Sequence, residues 1–360
     1  MSESVLNGWL IAAVDEGVSD VHVIPDSPPI IRKDGELHSL PVDVLSGESI
    51  RQELMELCPD EYRDRFVAER NLDFAMEVEH QGQMLRFRAN YFYAGDQVGA
   101  CFRVIPNKIP DFSWANFPID LADRLTGFRN GLILFSGVAG SRKTTSLAML
   151  LQSFIEKGGY RIITIEEPVE YLFQSKFDAK YSSVITQREV GRDVVSFADG
   201  LKYGLRQDPD VILVGEIRDQ ETAQIALSAA ETGHLVLSTL HTRDAKGAVS
   251  RYADLFESNM QNEIRAQLAL SLRAVVSQHL LPSSLPGAKR ELAIEVMYNN
   301  NPMSSAIRMG KLESIDSNIQ TGGKDGMVSL DESIRRMMRN GTITEETAKA
   351  YVNDAAHLLR

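Results

Sequence analysis

Eight residues, Gly137-Val138-Ala139-Gly140-Ser141-Arg142-Lys143-Thr144, constrain this chain more than any other stretch, because of what flanks them. Before them runs an apolar tetrad, Leu132-Ile133-Leu134-Phe135; after them, residues 145–155 carry apolar side chains at helical spacing. A strand, a glycine-bearing loop and a helix in that order make a cradle for phosphate, since the loop N–H groups and the positive end of the helix point at an anion. Lys143 is then placed to reach β and γ phosphates, and the Thr144 hydroxyl to hold Mg²⁺. With Gly137, Gly140, Ser141 and Thr145 completing the turn, the stretch predicts a nucleotide site. One position departs from the pattern G-x-x-x-x-G-K-[ST]. Arg142 stands where a glycine lets the backbone approach phosphate with no side chain in the way. An arginine there either clashes with the phosphates or adds its own guanidinium to them.

At 360 residues the chain exceeds one typical core, so two domains are expected. A composition 43% hydrophobic and 24% charged is that of a soluble globular protein. The formal net charge of −12 argues against a nucleic-acid partner, which demands a basic surface. Two cysteines, Cys58 and Cys101, are too few for a disulfide framework or a four-thiolate zinc site and read as small buried hydrophobes. No basic segment precedes an apolar one at the N-terminus, and the apolar runs fall far short of the ~18 residues a membrane span requires. A cytoplasmic location is expected.

Taken in order, residues 5–14 have helical spacing and end near Gly17. Short strands follow at 20–24 and 30–32, with a hairpin turn at Asp34-Gly35, then helices at 48–57 and 59–68 and strands at 72–78, 84–92 and 98–105. This predicts a small α+β domain over 1–105, in which His22 and His38 read as structural histidines. Residues 106–118, with three prolines and no clear period, read as a linker. From 119 to 360 an ATPase-type domain is expected. Strands at 132–135, 161–165, 211–214 and 235–238 alternate with helices at 145–155, 197–205 and 220–231, which implies a mainly parallel sheet flanked by helices. The last third reads as mostly helical, over 259–281, 304–310, 329–340 and 345–358.

Ligands of such sheets bind at the C-terminal ends of the strands. Three of those ends supply what phosphate cleavage needs. The strand 161–165 runs into Glu166-Glu167-Pro168, carboxylates where Mg²⁺ and its waters would sit. The strand 211–214 runs into Gly215-Glu216, an acid able to orient or deprotonate an attacking water. The strand 235–238 continues toward His241, with His234 just before it, and a histidine there can bond a γ-phosphate or relay its loss.

Long ordered blocks carry a resemblance. Residues 208–219 (DPDVILVGEIRD) and 229–242 (AAETGHLVLSTLHT), with EEPVE at 166–170, QREVG at 187–191, AIR at 306–308 and IQTGG at 319–323, resemble the PilT family of twitching-motility motors within the secretion-superfamily ATPases. SDVH at 19–22 with PPIIR at 28–32 is similar to that family's N-terminal domain. The resemblance implies an α/β architecture: a RecA-like P-loop ATPase domain, a smaller PAS-like α+β N-terminal domain and a helical C-terminal region. It further implies a homo-hexamer that binds ATP with Mg²⁺ between the two domains at the cytoplasmic face of an inner membrane. The expected partners are a pilus platform protein and paralogous pilus ATPases. By the same resemblance Glu216 takes the catalytic glutamate position and Glu166 the aspartate-box glutamate, able also to serve the metal. His241 and His234 form the histidine box, Arg218 lies beside the nucleotide, and Arg88 and Arg103 of the first domain reach the γ-phosphate. The implied activity is ATP hydrolysis driving type IV pilus retraction. Two alternatives remain open: a weakly active accessory paralogue, because of Arg142, or an assembly ATPase of a pilus or type II secretion system. Two cysteines cannot build the four-cysteine zinc motif usual in the latter.

Overall fold

The computed structural model describes residues 4–33, 36–106, 108–173 and 182–353. The chain divides into two compact units, Met1–Lys108 with Glu170–Leu172, and Ile109–Val169 with Phe173–Arg360.

The first unit is α+β. It comprises α1 (Val5–Asp15), β1 (Asp20–Val23), β2 (Ile30–Lys33), β3 (Glu36–Ser39), α2 (Gly47–Leu57), α3 (Asp60–Glu69), β4 (Asn71–His80), β5 (Gln83–Ala94) and β6 (Gln97–Ile105). Among the described residues its strands form one antiparallel sheet in the order β3-β2-β1-β6-β5-β4. Strand β4 alternates buried and exposed side chains, as a half-covered sheet requires. Its inward Phe74 meets Tyr91 edge-on, and Tyr91 in turn meets Phe66 and Phe102 edge-on, so four aromatics knit helix α3 to three strands. The turn expected at Asp34-Gly35 lies outside the described residues. Cys58 is buried, but Cys101 is only half-buried. His22 and His38 do not share one structural role: Nε2 of His22 is buried with no hydrogen-bond partner, while His38 stands on the exposed strand β3.

The second unit begins with a short helix, α4 (Phe112–Ala115), inside the stretch that reads as a structureless linker. Asp111 caps it by accepting a hydrogen bond from the Trp114 N–H at 2.6 Å, a local signal too short to show as periodicity. Then follow α5 (Ile119–Leu125), β7 (Gly131–Ser136), α6 (Lys143–Lys157), β8 (Arg161–Glu166), β9 (Val184–Glu189), α7 (Phe197–Gly204), β10 (Val211–Val214), α8 (Gln220–Glu231), β11 (Leu235–Leu240) and α9 (Ala245–Asp254). The chain continues through α10 (Gln261–Ser271), β12 (Leu272–Leu281), β13 (Glu291–Tyr298), α11 (Asn301–Arg308), α12 (Glu313–Thr321), a 3₁₀ turn at Gly322–Asp325, α13 (Leu330–Arg339) and α14 (Glu345–Tyr351). The strand order is β13-β12-β7-β11-β10-β8-β9, parallel throughout except for β13, which runs antiparallel along β12 at the edge.

The expectation of one helix over 259–281 is wrong in its second half. Helix α10 stops at Ser271 and the chain enters β12 directly, with no glycine or proline to mark the change. Strand β12 is paired along both edges, by β7 and β13, and is buried on both faces, so its Ala274-Val275-Val276 run lacks the alternation that distinguishes strand from helix. Strand β13 was likewise not expected. Helix α14 ends at Tyr351, and the remainder of the helix read over 345–358 extends outside the described residues. Among the described residues no helix is long and apolar enough to cross a membrane.

Candidate nucleotide site

The strand register places the chemical residues on neighbouring rungs. Leu240 of β11 lies beside Ser136 of β7, Val214 of β10 beside Ser238 of β11, and Ile165 of β8 beside Val214. Counting on from these pairs, Glu167, Glu216 and Ser136 leave the sheet at one level, and His241 exits next to Gly137. The parallel strands therefore deliver a phosphate loop, two carboxylates and a histidine to one end of the sheet.

The loop itself depends on close approach. Gly137 has φ +146°, and a Cβ on it would stand 2.4 Å from Ser141 Oγ and 2.5 Å from the backbone oxygen of Gln278 in β12. Gly140 has φ +75° and opens onto free space. Lys143, the first residue of α6, is buried, and its ammonium donates to the carbonyls of Gly137 at 2.7 Å and Val138 at 3.2 Å, so it reaches back across the loop. Ser141 Oγ is buried with no hydrogen-bond partner, as is Oε1 of Gln278, whose Nε2 donates to Ser146 Oγ at 2.7 Å. Orphaned buried polar atoms are costly. Ser141 Oγ, at the mouth of the α6 N-terminus, can donate its hydrogen to a phosphate oxygen; the Gln278 oxygen, an acceptor, cannot.

Arg142 keeps the backbone a glycine would supply. It lies in the left-handed region, φ 68° and ψ 26°, as the residue before α6. Its side chain turns outward: the guanidinium carbon is 4.9 Å from the centre of the Trp114 ring, and Nη1 donates to the Arg290 carbonyl at 3.3 Å. It neither clashes with the cradle nor joins it.

Around the neighbouring strand ends four side chains gather. Glu216 Oε2 is 2.8 Å from Arg218 Nε and 3.3 Å from His241 Nε2, and Arg218 Nη1 donates to Glu167 Oε2 at 3.0 Å. The Glu216 side chain is 17% exposed, shielded enough to be fixed yet open enough to meet water. Thr239 Oγ1 donates to the Gly215 carbonyl and the Ile217 N–H to the Thr239 carbonyl, so β11 pins the turn that carries Glu216.

Glu166 takes a different direction. Its buried carboxylate accepts from Thr164 Oγ1 at 2.5 Å and from Gln187 Nε2 at 3.2 Å, which ties it to β8 and β9. Thr164 was legible as the residue two before Glu166 on the same strand face; Gln187 lay in the QREVG block that carries the resemblance, but its place beside Glu166 was not legible, because β9 carries no apolar run. Glu167, expected beside Glu166 where Mg²⁺ and its waters would sit, is the carboxylate that meets Arg218. Thr144 is half-buried in the first turn of α6 beside Lys143. Among the described residues no cluster of three His, Cys, Asp or Glu could hold a metal alone.

His234 is not brought to this end. Its carbonyl accepts from Gly131 N, at the start of β7, and its Nδ1 lies 3.1 Å from the Ala229 carbonyl. The six residues of β11 separate it from His241 by roughly 20 Å of strand. Arg88 and Arg103 belong to the first unit, where they face each other across β5 and β6. Each has a carboxylate beside it: Asp20 at 2.8 Å from Arg103 and Asp73 at 3.7 Å from Arg88.

Residues 109–355 match the family model described as type II/IV secretion system protein. The type IV pilus retractation ATPase PilT of Pseudomonas aeruginosa is 36% identical over 340 residues, covering 94% of this chain and 96% of that one. The chain belongs to the PilT family. A twitching motility protein of Neisseria gonorrhoeae is 36% identical over 321 residues, 89% of this chain and 83% of its own. The crystal structure of the pilus retraction motor PilT with bound ADP is similar over 99% of each chain, with a TM-score of 0.85 at 35% identity. The second unit is accordingly RecA-like, and the first is the antiparallel-sheet domain that precedes it in this PilT-family chain.

Proposed function

We propose that this PilT-family chain is an ATP-hydrolysing motor of type IV pilus retraction. It works as a homo-hexamer at the cytoplasmic face of the inner membrane, against a platform protein and alongside paralogous pilus ATPases. The observation that carries the reading is the convergence of Glu216, Arg218, Glu167 and His241 on the strand ends adjoining the Lys143 loop.

In hydrolysis the Glu216 carboxylate takes a proton from water as the water oxygen bonds to the γ-phosphorus, and the bond to the β-phosphate oxygen breaks to leave ADP. Lys143 and the loop amides hold the phosphate oxygens; Thr144, and Glu166 if its carboxylate is released from Thr164 and Gln187, would hold Mg²⁺, which would supply charge neutralisation. Arg218 fixes Glu216 against Glu167, and His241, bonded to the same carboxylate, follows the loss of phosphate. His234 takes no part at this end of the sheet.

Phosphate release by the full chain, and its loss in Glu216→Gln, tests the chemistry; twitching restored in a retraction-deficient strain by the parent and not by Glu216→Gln tests the role. A nucleotide-binding chain with negligible hydrolysis would favour the second reading, an accessory subunit. The arginine at the loop's glycine position is the observation that keeps that reading in play.

A further inference from the structure

Arg142 occupies a position where a side chain endangers phosphate binding, yet it lies clear of the cradle, and the reason is a cluster of residues around Trp114. Two cationic groups lie near the indole, the Arg142 guanidinium carbon and Lys289 Nζ, each 4.9 Å from the ring centre. Trp114 is 46% exposed, and its one-turn helix is anchored at both ends. Asp111 caps it, with its carboxyl held below the ordinary range by the Ser113 hydroxyl and the Trp114 N–H. Beyond it, Asn116 Nδ2 donates to Glu291 Oε2 at 2.8 Å, and Lys289 donates to the Trp114 carbonyl. The segment between β12 and β13 thus holds the α4 backbone at Trp114, and its Arg290 carbonyl accepts a hydrogen bond from Arg142 Nη1.

We infer that Trp114 is a positioning residue for the phosphate loop: it parks the Arg142 side chain outside the cradle and so makes an arginine at this glycine position compatible with nucleotide. The inference rests on the nucleotide reading above. A guanidinium over an aromatic face at this distance is attracted by the ring quadrupole, by about 0.5–1 kcal/mol at exposed sites. The carbonyl of Arg290 adds a charge-assisted hydrogen bond to the same group. Without the indole, the three-carbon stem of Arg142 regains rotamers that enter the space above the loop amides. There it displaces phosphate from its N–H donors, while Lys143 already supplies the positive charge. Trp114 touches neither phosphate nor the reacting atoms.

The test is a double-mutant cycle on the full chain, with Trp114→Ala, Arg142→Gly and their combination titrated with ADP. Trp114→Ala is expected to weaken ADP binding about two- to fivefold, the factor that attraction corresponds to, when Arg142 is present and not measurably in the Arg142→Gly background, with Trp114→Phe restoring most of the loss. An equal effect in both backgrounds, or tighter binding on loss of the indole, overturns the inference and leaves Trp114 a structural residue of α4. A nucleotide-independent readout separates this from failure of the parent reading. The chain has two tryptophans, Trp9 buried and Trp114 exposed, so acrylamide quenching reports chiefly on Trp114. Arg142→Gly is expected to increase that quenching even if no variant binds ADP, and unchanged quenching overturns the stacking itself.

Discussion

Arg218 Nε lies 2.8 Å from Oε2 of Glu216, while Nη1 of the same guanidinium lies 3.0 Å from Oε2 of Glu167, so one arginine bridges the ends of β10 and β8. The bridge is more than half exposed on the arginine side, which makes it worth little to stability, about 0–1 kcal/mol. Its value is geometric, because it holds the base at a fixed angle. Arg218→Ala is therefore expected to leave the unfolding midpoint nearly unchanged and to lower kcat on the order of 10- to 100-fold. Denaturation curves and steady-state phosphate release, run side by side, separate the two effects.

Glu216→Gln keeps the size of the side chain and removes its basicity. Turnover should fall by about 10² to 10⁴, the span a positioned base contributes, with ADP affinity within a few-fold of the parent. Normal ATP hydrolysis by the Glu216→Gln variant would move the base elsewhere, and Glu167, the other carboxylate on Arg218, would be the next to test.

The two loop glycines are not equivalent. Gly140→Ala meets nothing within 4 Å and should cost only the left-handed backbone penalty, about 1–2 kcal/mol. Gly137→Ala puts a methyl 2.5 Å from the Gln278 carbonyl, which belongs to a strand held on both sides and cannot withdraw. Overpacking of that kind adds about 1–3 kcal/mol to the backbone strain. Urea unfolding should therefore rank Gly137→Ala well below Gly140→Ala, and ADP binding should be abolished in the former. Equal midpoints would mean the loop is looser than its contacts imply.

The strand ends at Glu166, Glu216 and His241 were legible because buried parallel strands read as mostly apolar runs without alternation, each stopping at a glycine, acid or histidine. The loop was legible from its spacing. His234 was misjudged although the strand between it and His241 had already been read: six residues of strand carry two nearby histidines to opposite ends of a sheet. The fate of Arg142 was not legible, since it depends on Trp114 and Arg290, 28 residues before it and 148 after it. Strand β12, whose Gln278 backs the loop at Gly137, was missed because it is packed on both faces and has no polar side to betray its period.

Glu295 gives a prediction in pH. On β13 its carboxylate is buried and accepts from Ala245 N at 2.7 Å, at the start of the helix that follows the His241 loop, and from Leu330 N, at the start of α13. Burial, with Asp244 and Asp316 nearby, outweighs those two donors and pushes its pKa from 4.5 up to about 7. Lys246, which could offset them, is bound to Asp316 at 2.6 Å. A carboxyl whose pKa is raised on folding favours the native state below its unfolded value, and that contribution is lost as pH rises through the folded value. Stability should thus decline between pH 4.5 and about 7, by at most roughly 3 kcal/mol from this group. Glu295→Gln keeps a carbonyl for both N–H donors and offers its amide protons to the neighbouring carboxylates, without a charge to bury. Thermal melts should find the variant close to the parent at about pH 5 and several degrees more stable at about pH 8. A difference that does not grow with pH would mean that Glu295 stays ionised in the fold and is held by the two helix N-termini alone.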